Sequence, residues 1–483
     1  MLALVTIPYL VAWRAAGRAY VFSGLLFNPL DGASYLAKMR QGWEGAWRYR
    51  LAFSAGAQDE AFLFLYYLFL GHAARWLGLS LPVMYHLARL GGMIALLYAL
   101  DAFFAAYLPA ESRQKAFALA VLGSGMGWLA LPAGAFPADF WVAEAYPFLS
   151  AFANPHFPLS LALMLTLLLP VPNENALWLR RTGCALFLAL MSPFGMVLVI
   201  LLETARTLWE GRGTPWRQIT LKGVRSLLPL GVGGLPYLLY TQWVVASFPS
   251  FAAWNAQNQT PALPVWDTLL SFAPLWIFAL YGLRHRRDRT PPASLLTIWS
   301  ALAFFLLYLP LPLQRRFLLG WYIPLAALSA WALSGQRGQR LWRLGFLLAL
   351  PTNLILLLAV LGGALRHAPE IYLTRAEVQA LAWLEANTPP DSVVLASPEM
   401  STFIPGWSNR RVVYAHPYES VPASAEDAVL RWFAGQATLA DRERLAAADY
   451  IFLGVRERAL GAASPLPAPV YRNAEVAIYP YLP

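Results

Sequence analysis

The chain has 483 residues, of which 58% are hydrophobic and 13% charged; its formal net charge is +10 and its mean hydropathy +0.49. Soluble domains carry about 25% charged residues, and apolar runs of bilayer-spanning length recur here from end to end, which excludes a soluble globular protein. The basic residues gather in loops between apolar runs, a pattern of membrane orientation and not of nucleic-acid binding, and the single Cys184 excludes an intrachain disulfide and a cysteine-rich metal site.

Met1–Trp13 reads as a first membrane segment, without the basic start and small-residue cleavage site of a removable signal peptide. The stretch Phe27–Glu60 is polar and aromatic by contrast. It holds Asp31, Glu44, Asp59 and Glu60 together with Lys38, Arg40, Arg48 and Arg50. If Asp31 starts a helix, Tyr35 and Lys38 follow at i+4 and i+7 on one face, so a carboxylate, a phenol and an ammonium converge at a membrane surface. The plainer reading of the same stretch is an interfacial helix anchored by Trp43, Trp47 and snorkelling arginines.

Further apolar segments lie at Val83–Leu108, Ala116–Leu131, Phe157–Pro170, Ser226–Val245, Thr268–Leu283, Ala293–Leu309, Phe317–Leu333 and Leu341–Leu365. The basic loops Arg206–Arg225, Arg284–Arg289 and Arg337–Arg343 belong on the cytoplasmic side, and so do Arg113 with Lys115 and Arg180 with Arg181. That placement requires Ala61–Leu79 to lie along the outer interface. It also requires Leu179–Trp209 to be a hairpin of two short helices broken at Ser192-Pro193-Phe194-Gly195, a break tolerated where protein or water satisfies the freed backbone. About eleven crossings result, with the N-terminus cytoplasmic. The outer face then carries the stretch after the first span, the segment Pro132–His156 with Asp139, Glu144 and His156, the loop Phe248–Asp267, and the pair Arg315–Arg316, which runs against the charge bias. The run Gly123–Gly127 is placed in a membrane helix, where glycine serves close packing.

After Leu365 the composition turns mixed polar and apolar. Helices are expected at Thr374–Ala386, Ser424–Gly435 (with Ser424 as N-cap) and Leu439–Ala448. Short strands are expected at Ser392–Ala396, Arg411–Tyr414, Tyr450–Leu453 and Val476–Tyr479. The expected fold class is therefore a polytopic α-helical membrane protein, residues 1–365 with a first outer loop at 14–82, followed by an extracytoplasmic α/β domain at 366–483. No phosphate-binding P-loop, dinucleotide turn or zinc-protease motif occurs. The spans are nearly free of ionisable residues, which favours chemistry at the outer interface over transport through the bilayer.

The layout resembles the C-type (GT-C) glycosyltransferases, polytopic enzymes that take sugar from polyprenyl-phosphate carriers. Three features carry the likeness: Asp31 in NPLDGASYLAKM after the first span, the aromatic amphipathic segment DEAFLFLYYLFLG entered by Asp59 and Glu60, and the second outer loop PADFWVAEAYPF with Glu144. The tail, with AWLEANTPPDSVVLASPE and IPGWSNRRVVYAHPYES, is similar to that of bacterial members of the superfamily. The resemblance implies an inverting transfer with Asp31 as general base and Asp59, Glu60 and Glu144 as further candidate catalytic acids. Arg315 and Arg316 would hold the leaving phosphate, with Lys38 and Arg40 as second choices, and Tyr35 and His156 would contact substrate. The second loop lacks an acid-x-acid pair; no cofactor is assigned, and a divalent metal stays open. The implied partners are a polyprenyl-phosphate-linked sugar, a glycan, lipid or protein acceptor and the bilayer, in a bacterial plasma membrane. A non-catalytic polyprenyl-lipid-binding or envelope-assembly protein and a transporter or flippase are the rival readings.

Overall fold

A computed structural model describes residues 1–56, 59–170, 174–285, 294–461 and 466–482, with only the backbone at 174–177 and 336–337. Of the basic loop Arg284–Arg289, residues 286–289 lie outside the described residues, as does the side chain of Arg337. The chain divides into two compact units: Met1–Pro8, His86–Tyr240 and Thr260–Val360 form the first, and Tyr9–Tyr85, Thr241–Gln259 and Leu361–Pro483 the second.

The first unit is helical. Among the described residues, three helices of the whole chain are long and apolar enough to cross a membrane: Leu81–Tyr107, Ala110–Ala133 and Gly338–Leu365. A fourth candidate is the pair Val265–Ser271 and Leu275–His285, bent by 81°. Leu2–Ala15, His156–Leu168 and Ser294–Leu307 are apolar but shorter. The stretch Leu179–Trp209 is divided at Ser192, between helices Glu174–Met191 and Pro193–Glu210. Pro193 cannot donate to the preceding turn, and the Ser192 hydroxyl instead accepts the Gly195 amide at 3.2 Å. The glycine run at 123–127, expected above within a membrane helix, instead interrupts the candidate span Ala110–Ala133: the α-helix ends at Leu122, and a 3₁₀ turn takes up the chain again from Gly127. The reason is close approach. A Cβ on Gly125 would lie 1.9 Å from the Ser271 carbonyl oxygen, and one on Gly127 would lie 1.8 Å from an Asp139 oxygen.

The second unit joins an early segment to the C-terminal sheet. Helix α1 (Leu2–Ala15) leads to strand β1 (Tyr20–Phe22), helix α2 (Pro29–Trp43) and helix α3 (Leu65–Leu77). Helix α3 has 13 residues, about 20 Å at 1.5 Å per residue, against about 30 Å of hydrocarbon. Strand β1 pairs antiparallel with β2 (Tyr372–Thr374). A five-stranded sheet follows from β3 (Val393–Leu395), β4 (Arg411–Val412), β5 (Tyr450–Leu453), β6 (Tyr471–Arg472) and β7 (Ala477–Pro480), in the order β4-β3-β5-β7-β6. Strands β4, β3 and β5 are parallel, and β7 runs antiparallel to β5 and β6.

Alternation along these strands builds two cores. Val394, Phe452 and Ile478 face one side with Leu381, Leu384 and Phe403; Val393, Leu395, Ile451 and Ala477 face the other with Val429, Trp432 and Phe433. Ala37 of α2 and Phe53 belong to the first core, so the early segment and the tail share one hydrophobic interior. Compactness thus cuts the chain along lines other than the change of composition at residue 365. The helix Arg375–Asn387 begins with a capping box from Thr374 and Glu377. Ser424 stands at the N-cap of Ala425–Phe433, but its side chain makes no capping bond there.

Candidate active site

Helix α2 organises the site. Pro29 takes the first helical position, where a missing N–H costs nothing, and Asn28 precedes it in the left-handed region at φ 45°. The Asn28 amide donates to Asp31 Oδ2 at 2.5 Å. Asp31 lies in the first turn, where a carboxylate also meets the positive end of the helix dipole. Its other oxygen, Oδ1, lies 3.1 Å from His416 Nε2. The Asp31 side chain is 44% exposed while that of His416 is 3% exposed, so a buried imidazole supports an accessible carboxylate.

One face of α2 carries Asp31, Ser34, Tyr35 and Lys38, as the spacing predicts. Lys38 is fully buried and forms an ion pair of 2.6 Å with Glu419 Oε1. Its ammonium also donates to Ser34 Oγ at 2.5 Å, and the Ser34 hydroxyl donates to Glu419 Oε1 at 2.6 Å. The Tyr49 hydroxyl donates to Glu419 Oε2 at 3.1 Å. Three rings surround the ammonium: Phe64, Tyr49 and Tyr35, with centroids at 4.4, 5.2 and 5.5 Å. Burial alone would push the Glu419 carboxyl up, but the Lys38 charge and the hydrogen bonds from Lys38 and Ser34 outweigh it and hold the group below the usual carboxylate range. Burial and the neighbouring Glu419 push the Tyr49 phenol well up, so it stays a donor. Phe64 holds φ 52°, a strained conformation for a bulky residue, at the point where its ring covers the ammonium.

The remaining predicted residues fall elsewhere. Tyr35 stacks on Tyr67 at 4.4 Å. Arg40 pairs with Glu385 and, at 2.7 Å, with Glu44. It lines a cavity of about 450 Å³ walled by Trp13, Leu36, Trp43, Pro82 and Trp407. Asp59 accepts from the Ser250 amide and hydroxyl at 3.0 and 2.7 Å, the contact of a cap on the helix Pro249–Gln257. Glu60 makes a loose exposed pair with Arg48 at 3.6 Å.

Glu144, His156, Arg315 and Arg316 belong to the first unit. Arg316 donates to Glu144 at 3.2 Å, and the Arg315 guanidinium lies 4.6 Å from the Trp141 ring centroid. The expected α-helix from Phe317 is instead a short 3₁₀ turn, Gln314–Leu318, and the next α-helix is Tyr322–Ala332. Gly320, between the two, has φ 67°, which interrupts a right-handed helix there. His156 opens the helix His156–Leu168 beside the Phe157 ring.

Sequence reasoning missed two groups. His416 and Glu419 lie in the segment YAHPYES, 385 residues after Asp31 and Ser34 respectively, beyond the reach of any spacing rule. The second group is in the first unit, where Asp139, named above only as an outer-loop acid, has buried partners that the sequence did not indicate. Asp139 Oδ2 accepts from the Gly127 amide at 3.0 Å and Thr352 at 2.8 Å, and Asp267 Oδ1 accepts from Ala138 and Ser271 at 2.8 and 2.7 Å. Burial pushes the Asp139 carboxyl, in the loop between spans, up to about 7. Among the described residues no three His, Cys, Asp or Glu side chains gather as ligands, so the divalent metal left open by the sequence has no donor set among them.

No protein-family profile matches the chain, and no curated protein matches it by sequence. Solved structures do match in fold. The archaeal oligosaccharyltransferase AglB from Archaeoglobus fulgidus, in complex with an inhibitory peptide and a dolichol-phosphate, aligns with a TM-score of 0.55 at 12% identity, over 95% of this chain and 69% of its own. ArnT from Cupriavidus metallidurans bound to undecaprenyl phosphate aligns with a TM-score of 0.54 at 13% identity, over 99% of this chain and 97% of its own. The chain has the fold of the GT-C glycosyltransferases, in agreement with the resemblance read from its motifs.

Proposed function

We propose that the chain is a membrane glycosyltransferase that moves a sugar from a polyprenyl-phosphate carrier to an acceptor hydroxyl on the extracytoplasmic side, with Asp31 as general base. One observation carries this reading: an accessible carboxylate, held from two sides by Asn28 and His416, in a chain with this fold. In the reaction the acceptor O–H gives its proton to Asp31 as its oxygen bonds to the anomeric carbon. The C–O bond to phosphate breaks, its electron pair stays on the phosphate oxygen, polyprenyl phosphate leaves and the configuration inverts.

The leaving phosphate needs cations. The guanidinium forks of Arg315 and Arg316, with Arg316 beside Glu144, are our first choice for that role, because such a fork grips phosphate oxygens in bidentate fashion. The membrane part lies within 1–365, with about eleven crossings, and 366–483 is an α/β domain outside it. Full-length protein in lipid nanodiscs, given a polyprenyl-phosphate sugar and a glycan acceptor, should release polyprenyl phosphate. Asp31→Asn should cut turnover by roughly 10²–10⁴-fold while remaining folded. Undiminished turnover in this variant would remove Asp31 from the chemistry. The apolar cavity at Arg40 favours a second reading, a lipid-binding protein without catalysis; tight binding of the carrier with no transfer would support it.

A further inference from the structure

We propose that the segment 413–420 completes the site from the C-terminal region: His416 is a positioning residue that orients the Asp31 carboxylate, and the buried Glu419–Lys38 pair holds His416 in place. The inference rests on the reading of Asp31 as base and adds to it the residues that make that base effective.

Hydrogen bonding decides the imidazole's tautomer. The Tyr418 amide donates to His416 Nδ1 at 3.1 Å, so Nδ1 is an acceptor. The ring proton therefore sits on Nε2, which faces Asp31 Oδ1 at 3.1 Å and donates to it. Two features keep the ring there. The Ser420 hydroxyl oxygen accepts the amides of Ala415 and His416, each at 3.0 Å, and closes the turn. Glu419, three residues beyond His416, inserts its carboxylate beneath α2 onto Lys38, Ser34 and Tyr49. A carboxylate this deep with one cation and two hydroxyl partners fixes its own backbone, because withdrawing it would leave the Lys38 charge buried and unpaired. The rings of Phe64, Tyr49 and Tyr35 close around that ammonium and keep it from following Glu419 outward.

The consequence is geometric. A base must meet the acceptor proton at hydrogen-bond distance, and a displacement of about 1 Å at such a group can cost about 10²-fold in rate. Asn28 restrains Oδ2 of Asp31, and His416 restrains Oδ1.

The test uses full-length protein in lipid nanodiscs. Nitrogen-15 NMR of the histidines, with the His416 signals assigned by their loss in His416→Gln, should give the Nε2–H tautomer at neutral pH; an Nδ1–H tautomer overturns the inference. His416→Ala should lower kcat about 10²-fold with KM for a polyprenyl-phosphate sugar little changed. His416→Gln, whose amide can still donate to Asp31, should recover part of the loss. Glu419→Gln, or the milder Ser34→Ala, should raise hydrogen exchange across 413–420 and lower kcat together; unchanged exchange in both overturns the latch. Full kcat in His416→Ala while Asp31→Asn is inactive overturns this inference and leaves Asp31 as base. Full kcat in Asp31→Asn overturns the base itself. A protein that turns over no donor still answers through the tautomer and the exchange.

Discussion

Lys38 illustrates what burial does to a side chain that is chosen from sequence for its charge. Its position on α2 was legible from the helical spacing, but its partner was not. The ammonium is spent on Glu419 inside a cage of three rings. Removing one member of a buried pair typically costs about 3–5 kcal/mol, whereas replacing both with apolar groups of similar volume is often neutral. Lys38→Met should therefore lower the thermal midpoint sharply, and Lys38→Met with Glu419→Leu should recover much of the loss; equal losses in the single and double variants would contradict the pairing. The pH dependence has a definite sign. The folded-state pKa of Glu419 lies below its unfolded value, so the stability it contributes is fully present above the ordinary glutamate value of about 4.3 and is lost as pH falls through the lowered one. Thermal midpoints measured from pH 7 down to pH 3 should show this acid limb in the parent and a flatter one in the double variant.

At the scale of elements, the contact between α2 and α3 sets the floor of the site. The two helices approach so closely that a Cβ on Gly71 would lie 1.9 Å from the Met39 carbonyl oxygen, and one on Gly42 would lie 2.0 Å from that of Leu68. The obstacles are backbone atoms, which cannot rotate away. Overpacking of a tight interior costs about 1–3 kcal/mol and sometimes more. Gly71→Ala should lower the thermal midpoint and reduce turnover by moving Tyr67 and Phe64 against Tyr35 and Lys38. Gly91→Ala, where nothing lies within 4 Å, should leave the midpoint unchanged or raise it, since alanine favours the helix. A Gly71→Ala variant as stable as the parent would mean that the helices can separate without cost. The glycines were visible in the sequence, but nothing marked these two as the crossing point. The break at Ser192-Pro193 was visible, because proline forbids a continuous helix.

For the whole molecule, the proposed orientation follows from the basic loops. A membrane-impermeant maleimide should label Glu443→Cys and not Glu111→Cys, both exposed positions, in a Cys184→Ser background on intact cells. The reverse pattern would invert the topology and put Asp31 on the cytoplasmic side.

Composition, charge placement and residue periodicity are local quantities, and they determined what local physics controls. They marked a membrane protein, the helix that begins near Asp31, the strands at Tyr450–Leu453 and around Val394, and the likeness to a family whose fold the chain shares. Only the tertiary structure decided that Ala37 and Phe53 share a core with the tail, that Glu419 claims Lys38, and that His416 stands behind Asp31. Those contacts join residues hundreds of positions apart. They exist because closing so long a loop is offset by burying apolar surface from both ends of the chain, a sum over the whole unit that no window of sequence contains.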